Sequence, residues 1–174
     1  MSYIDFDLST EIEEPRNYHQ NRMCSFEKYD TFVLRGKYES SNGVVTCPYC
    51  NNKAELVLSG VVYGYNVPYC NNLLYICKPC QAWVGTHKKT VIPLGTLANG
   101  SLRAKRRETH EKFDRIWKMR HLPSRERAYY WLSKKMKIPF EDTHIALFDL
   151  RQCEIALSIV KGYFPQFFKP KTTV

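Results

Sequence analysis

An α+β fold is predicted for this chain from three observations: two Cys-x-x-Cys pairs, a set of short strand-like segments around them, and a change to helical periodicity after Pro93. The expected architecture is a small antiparallel β module of zinc-ribbon type over about 44–92, packed with three helices over about 101–119, 125–136 and 149–161.

Residues 1–40 read as an acidic N-terminal arm. Asp5, Asp7, Glu11, Glu13 and Glu14 precede any basic residue, and a short strand is expected at Thr31-Phe32-Val33-Leu34-Arg35 before the turn formers Ser40-Ser41-Asn42-Gly43. The β module then offers strands at Ala54–Leu58, Val61–Tyr63, Leu73–Ile76 and Ala82–Val84, interrupted by Gly60, Gly64, Pro68 and the cysteine pairs. The first helix places Leu102, Arg106, Phe113 and Trp117 at helical intervals, with Ser101 as its expected cap. Ser124 caps the second, which Pro139 should stop, and Asp149-Leu150-Arg151-Gln152 reads as a capping box opening the third, which runs to Gly162. Residues 41–162 are expected to form one compact unit, and 163–174 an irregular tail with Pro165 and Pro170.

Cys47-Pro48-Tyr49-Cys50 and Cys77-Lys78-Pro79-Cys80 are separated by 26 residues of strand-like sequence. A two-residue gap lets both sulfurs of a tight turn reach one Zn²⁺, and two such knuckles at hairpin tips complete a tetrahedron. Four thiolates close the coordination sphere, so one structural zinc ion is expected and no open position for substrate. A redox dithiol would explain one pair and leave the other idle, without the alternating βαβ setting of such motifs. Cys24, Cys70 and Cys153 lack ligand spacing and read as small buried hydrophobes, with Cys70 and His87 as the nearest substitutes for a ligand.

The 174 residues carry a formal net charge of +9 with 44% hydrophobic content, which is enough for a real core and suggests an anionic partner. The charge is uneven: Lys88 to Arg127 holds twelve Lys or Arg against four acids. No apolar run approaches a membrane span or a secretory signal, and seven cysteines without an export signal point to metal or thiol chemistry in a reducing compartment. A cytoplasmic protein without membrane partners is therefore expected.

Arg103, Arg107, His110, Asp114 and Trp117 recur at intervals of four, three, four and three and share one helix face. His110 and Asp114 could pair to orient an imidazole for general-base work, with His87 as a third candidate, or could form part of an internal network. Neither a nucleophile nor an open metal position accompanies them, so the enzyme reading is the weaker one. For a nucleic-acid partner the contact candidates are Lys88, Lys89, Arg103, Arg106, Arg107 and Lys112, with Tyr49, Tyr63, Tyr65, Tyr75 and Trp83 as stacking surfaces.

The series Cys47-Pro48-Tyr49-Cys50, Val62-Tyr63-Gly64, Cys77 through Cys80, Val84-Gly85-Thr86-His87 and Pro93-Leu94-Gly95-Thr96-Leu97-Ala98-Asn99 resembles a family of phage- and prophage-encoded zinc-finger-containing proteins of undefined activity. Leu102-Arg103, Arg106, His110, Phe113-Asp114, Trp117, Tyr130-Trp131-Leu132 and His144-Ile145 continue it, over about 44–155. The resemblance implies a phage origin, a zinc ribbon and helices after it, and no reaction. The leading expectation is a non-catalytic structural-zinc protein binding nucleic acid or a nucleic-acid-associated host complex. The alternatives are an inhibitor of a host defence or transcription protein, motivated by the acidic arm, the family's missing catalytic signature and the aromatic tail Tyr163–Phe168, and a nuclease or other hydrolase using His110 and Asp114.

Overall fold

Strand-forming residues on either side of the second cysteine pair set the architecture of the first half. In the computed structural model, which describes residues 44–88 and 90–168, β1 (Glu55–Leu58), β2 (Leu73–Cys77) and β3 (Ala82–Gly85) form an antiparallel sheet in the order β1-β2-β3. The register pairs Leu56 with Tyr75 and Val57 with Leu74 on one side, and Tyr75 with Val84 and Ile76 with Trp83 on the other. Side chains alternate between the two faces of a strand. Leu56, Leu58, Leu73, Tyr75 and Val84 accordingly gather on one face with Ala54, Cys47, Cys77 and Leu97, while Val57, Leu74 and Ile76 gather on the other with Val62 and Trp83. Two buried faces explain why β2 is apolar throughout.

The strand expected at Val61–Tyr63 is instead α1 (Gly60–Tyr63), a single helical turn. Ser59 and Gly60 still donate across the sheet edge to Asn72 O and Cys70 O, at 2.7 and 3.0 Å. The chain then winds back, with Val62 N and Tyr63 N both donating to Ser59 O, and Gly64 leaves the turn at φ 83°. Local hydrogen bonds and a left-handed glycine override the β preference of two valines. Gly60 itself is required by a close approach, because a Cβ there would lie 2.5 Å from Cδ1 and Cε1 of the Tyr65 ring. Gly60→Ala is expected to cost about 1–3 kcal/mol through overpacking. Measured by denaturant unfolding, much of that loss should vanish in Gly60→Ala/Tyr65→Ala, and strict additivity of the two changes would show that the ring is not the cause.

The described chain divides between Leu97 and Ala98 into two compact units, where one unit over 41–162 was expected. The second is helical: α2 (Gly100–Phe113), α3 (Arg115–Lys118), α4 (Arg125–Met136) and α5 (Leu150–Tyr163). Its core contains Leu102, Phe113, Ile116, Leu132, Ile145, Phe148, Ala156 and Val160. Helix α4 has the predicted bounds, with Ser124 Oγ accepting from Arg127 N, but it ends at left-handed Lys137, two residues before Pro139. Helix α5 shows both halves of the Asp149–Gln152 capping box, at 2.7 and 2.9 Å, and runs past Gly162 to Tyr163. Helix α2 starts one residue before Ser101, because Asn99 Oδ1 accepts from Leu102 N at 3.0 Å and is the true cap. The continuous helix expected to 119 breaks at Asp114 into α2 and α3.

The tail is not irregular throughout. Pro165–Phe168 forms a 3₁₀ turn that buries Phe167 completely. Phe164 and Phe167 stack at 5.2 Å, Arg115 lies 4.6 Å over the Phe167 ring, and Arg115 Nη1 donates to Phe167 O. The acidic arm, the strand at Thr31–Arg35, Cys24, Lys89 and residues 169–174 lie outside the described residues.

Candidate metal centre

Both cysteine knuckles close in the same way. In the first, Cys47 N donates to Asn52 O and Asn51 N to Cys47 O, each at 2.8 Å, and the Thr46–Lys53 bridge ties the ends together. In the second, the β2–β3 register pairs Cys77 with Ala82 and Gln81 N donates to Lys78 O. The residue after each second cysteine is left-handed, Asn51 at φ 58° and Gln81 at φ 48°. Asparagine tolerates that region better than most side chains, which is how the first knuckle manages without a glycine.

These turns bring the sulfurs of Cys47, Cys50, Cys77 and Cys80 within 4.8 Å of one another, with Cys50 Sγ 3.5 Å from Cys77 Sγ. Four sulfurs about 2.3 Å from one zinc ion stand about 3.8 Å apart along the edges of a tetrahedron, so the cluster fits the ion. Cys47 and Cys77 are buried while Cys50 and Cys80 are half-buried, giving the site a dry inner side and a wetter outer one. A backbone hydrogen bond from Asn52 lowers the Cys50 pKa, the largest of its influences. Thiol neighbours act the other way on Cys80: sharing the cluster with Cys50, together with burial, pushes its pKa up to about 12. Burial raises that of Cys77. Without metal the cluster thus holds protons that zinc must displace. Cys70 is buried and disulfide-bonded, so it is no substitute ligand, and Cys153 is buried in the helical unit as expected. His87 is exposed in the turn after β3, where its backbone exchanges hydrogen bonds with Ile92 and Thr90.

The other sequence candidates fare unequally. His110 Nδ1 and Asp114 Oδ1 do meet, at 3.4 Å, but Lys118 holds the second carboxylate oxygen at 3.3 Å and Asp114 also caps α2. Arg106, expected at a phosphate, is 9% exposed and its Nε donates to Phe148 O at 2.9 Å, so it ties α2 to the segment before α5. Nothing in its spacing separates it from its neighbours, since the face it occupies is decided by what packs on it. Arg103 is half-buried and donates to Ala98 O. Lys112 pairs with Glu111 and leans over Phe168. Lys88 and Arg107 are exposed.

Among the stacking candidates, Tyr75 is buried in the sheet core, and Tyr65 is half-buried. Tyr63 and Trp83 meet edge to face at 6.1 Å, joined by a hydrogen bond from Trp83 Nε1 to Tyr63 Oη of 2.8 Å. Tyr69 adds a second edge contact to Tyr63 at 5.6 Å. Tyr69 was missed because the loop before β2 has no periodicity to place it.

Among the described residues no helix is long and apolar enough to cross a membrane. No curated protein and no solved structure matches the chain. Residues 43–163 match the model of a family described as a zinc-finger-containing domain, which takes in both knuckles and all four helices α2–α5; the chain belongs to that family, and its four-cysteine cluster is the site of one structural zinc ion.

Proposed function

We propose that this is a non-catalytic nucleic-acid-binding protein of phage origin, in which zinc holds up an aromatic surface for unpaired bases. The observation that carries the reading is the Tyr63–Tyr69–Trp83 set on the ribbon, where Tyr63 is 46% and Tyr69 47% exposed. Large aromatic rings left at the surface and fixed by one another offer π-faces to any base, and the +9 net charge supplies attraction to phosphate. Lys88 on the ribbon and Arg107 on α2 are the predicted residues best placed for solvent-side phosphate contacts, replacing Arg106. The phage origin rests on the resemblance of the cysteine knuckles and the segments after them. Of the supports for the host-protein reading, the aromatic tail is weakened, because its Phe164 and Phe167 pack internally.

Mobility shifts with single-stranded DNA and RNA test the proposal. Tyr63→Ala and Tyr69→Ala should each weaken binding about five- to hundredfold, from the roughly 1–3 kcal/mol of a base stack. Arg107→Gln should lower affinity for all sequences alike and reduce the salt slope by about one. A protein that shifts no single strand at about 50 mM salt, where such electrostatic binding is strong, does not have this function.

A further inference from the structure

We propose that the exposed face of α4 is a second nucleic-acid surface, which takes the phosphate backbone of a duplex without reading its sequence. Helix α4 buries Ala128, Tyr129, Leu132 and Ser133 and turns Arg127, Tyr130, Lys134 and Lys135 to solvent. Those four recur at i, i+3, i+7 and i+8, so they lie in one row along the helix. Their cations are uncompensated: no carboxylate pairs with Arg127, Lys134 or Lys135 among the described residues. Every lysine of α2 and α3, in contrast, is held by an acid, Lys105 by Glu108 and Lys112 by Glu111 at 2.9 Å and Lys118 by Asp114 at 3.3 Å. Among these helices the lysine charge is left open only on α4.

Two tyrosines hold these lysines in place. Lys134 Nζ lies 5.1 Å from the Tyr130 ring centre, and Lys135 Nζ lies 4.4 Å from that of Tyr163, at the end of α5, while donating to its hydroxyl. Tyr163 is fixed in turn by an edge contact with Trp131 at 5.4 Å. A lysine free in water samples many rotamers, so a ring beneath the ammonium reduces the entropy lost when that charge meets a ligand. Tyr163 Oη accepts from Lys135, which leaves its own hydrogen for an outside acceptor. The geometry of the row fits a linear polyanion. Arg127 to Lys135 spans about 12 Å at 1.5 Å per residue, and one strand of a duplex places a phosphate about every 3.4 Å along its axis, so the three cations match phosphates in series. An acidic protein would bring an apolar anchor that needs a pocket, whereas here the lysines lie over the ring faces in a straight row. Contacts of this kind fix position and carry no base information. The surface lies wholly in the helical unit and does not rest on the base-stacking set of the ribbon.

The test is a mobility shift of the zinc-loaded full chain on a short blunt DNA duplex over a series of salt concentrations. Arg127→Gln, Lys134→Gln and Lys135→Gln should each weaken duplex binding about two- to fivefold, the scale of an exposed ion pair, and each should reduce the salt slope by about one. All three side chains are exposed, so the triple variant should keep the parent's helical circular dichroism while losing about ten- to hundredfold in affinity. Lys105→Gln/Lys112→Gln/Lys118→Gln removes the same charge from compensated positions and should lose far less. Tyr63→Ala/Tyr69→Ala should leave duplex affinity unchanged, so failure of this surface and failure of the ribbon's are read separately. No shift of the duplex at about 50 mM salt would overturn the proposal, as would equal losses from the two triple variants, which would mean a response to net charge alone. Competition by poly-glutamate as strong as by duplex at equal charge would also overturn it and assign the face to an acidic protein.

Discussion

Stripping zinc from the purified protein, or replacing Cys47 by serine, is expected to unfold residues 44–97 while the helices of 98–168 persist. The physical reason is size. A β unit this small rarely draws more than about 3–5 kcal/mol from its apolar core, whereas a structural zinc ion contributes about 10–16 kcal/mol in small modules. Cys47 and Cys77 belong to the same buried cluster as Leu56, Leu73 and Leu97, so loss of the metal opens the core itself. The helical core contains no cysteine of the knuckles. Circular dichroism after chelation should therefore retain most of its helical signal while amide exchange across β1–β3 becomes fast. Acid should act like the chelator. Zinc affinity falls as pH falls, because each ligand released takes up a proton; the raised pKa values of Cys77 and Cys80 in the metal-free cluster mean that protons re-enter readily. Zinc retention that is flat from pH 8 to pH 4, or a Cys47→Ser protein with the parent's exchange pattern, would contradict a four-thiolate structural site.

Phe167→Ala is expected to destabilise the helical unit by about 3–5 kcal/mol, the ordinary cost of emptying a fully buried phenylalanine site. Its ring is fully enclosed, stacked on Phe164, covered by Arg115 and approached by His121 at 5.5 Å. The change also frees Arg115 from its cation–π partner, while the hydrogen bond that Arg115 Nη1 donates to the Phe167 carbonyl keeps the turn nearby. The neighbouring Phe168 is half-buried and makes a useful control, for which a smaller loss is expected. Denaturant unfolding of the zinc-loaded protein, followed by helical signal, measures both. A loss below about 1 kcal/mol for Phe167→Ala would mean that the turn only rests on the surface.

These two expectations differ in how they became accessible. The metal cluster was legible in the sequence because a two-residue gap between thiols is a local geometric constraint, and doubling it at either end of strand-like text leaves few other solutions. The helices were legible for a related reason: Asn99, Ser124 and Asp149 cap through their own first turns, and the expectation of Ser101 as the first cap lies only two residues from Asn99. The Val61–Tyr63 segment failed because propensity describes the average residue, whereas Gly60 and the Ser59 carbonyl decide that turn through contacts specific to it.

By itself the sequence determined the α+β class, the zinc ligands, the extents of α4 and the start of α5, since each depends on residues close together along the chain. Only the tertiary structure decided that Arg106 is an internal strut, that Phe167 is core, and that Tyr63, Tyr69 and Trp83 assemble at the surface. Each of those is fixed by which distant segment lies against a side chain: Phe148 against Arg106, the 3₁₀ turn against Arg115, and β3 against α1. Spacing along one helix cannot carry that information, because an arginine that binds phosphate and an arginine that holds a carbonyl read alike until their partners are in place.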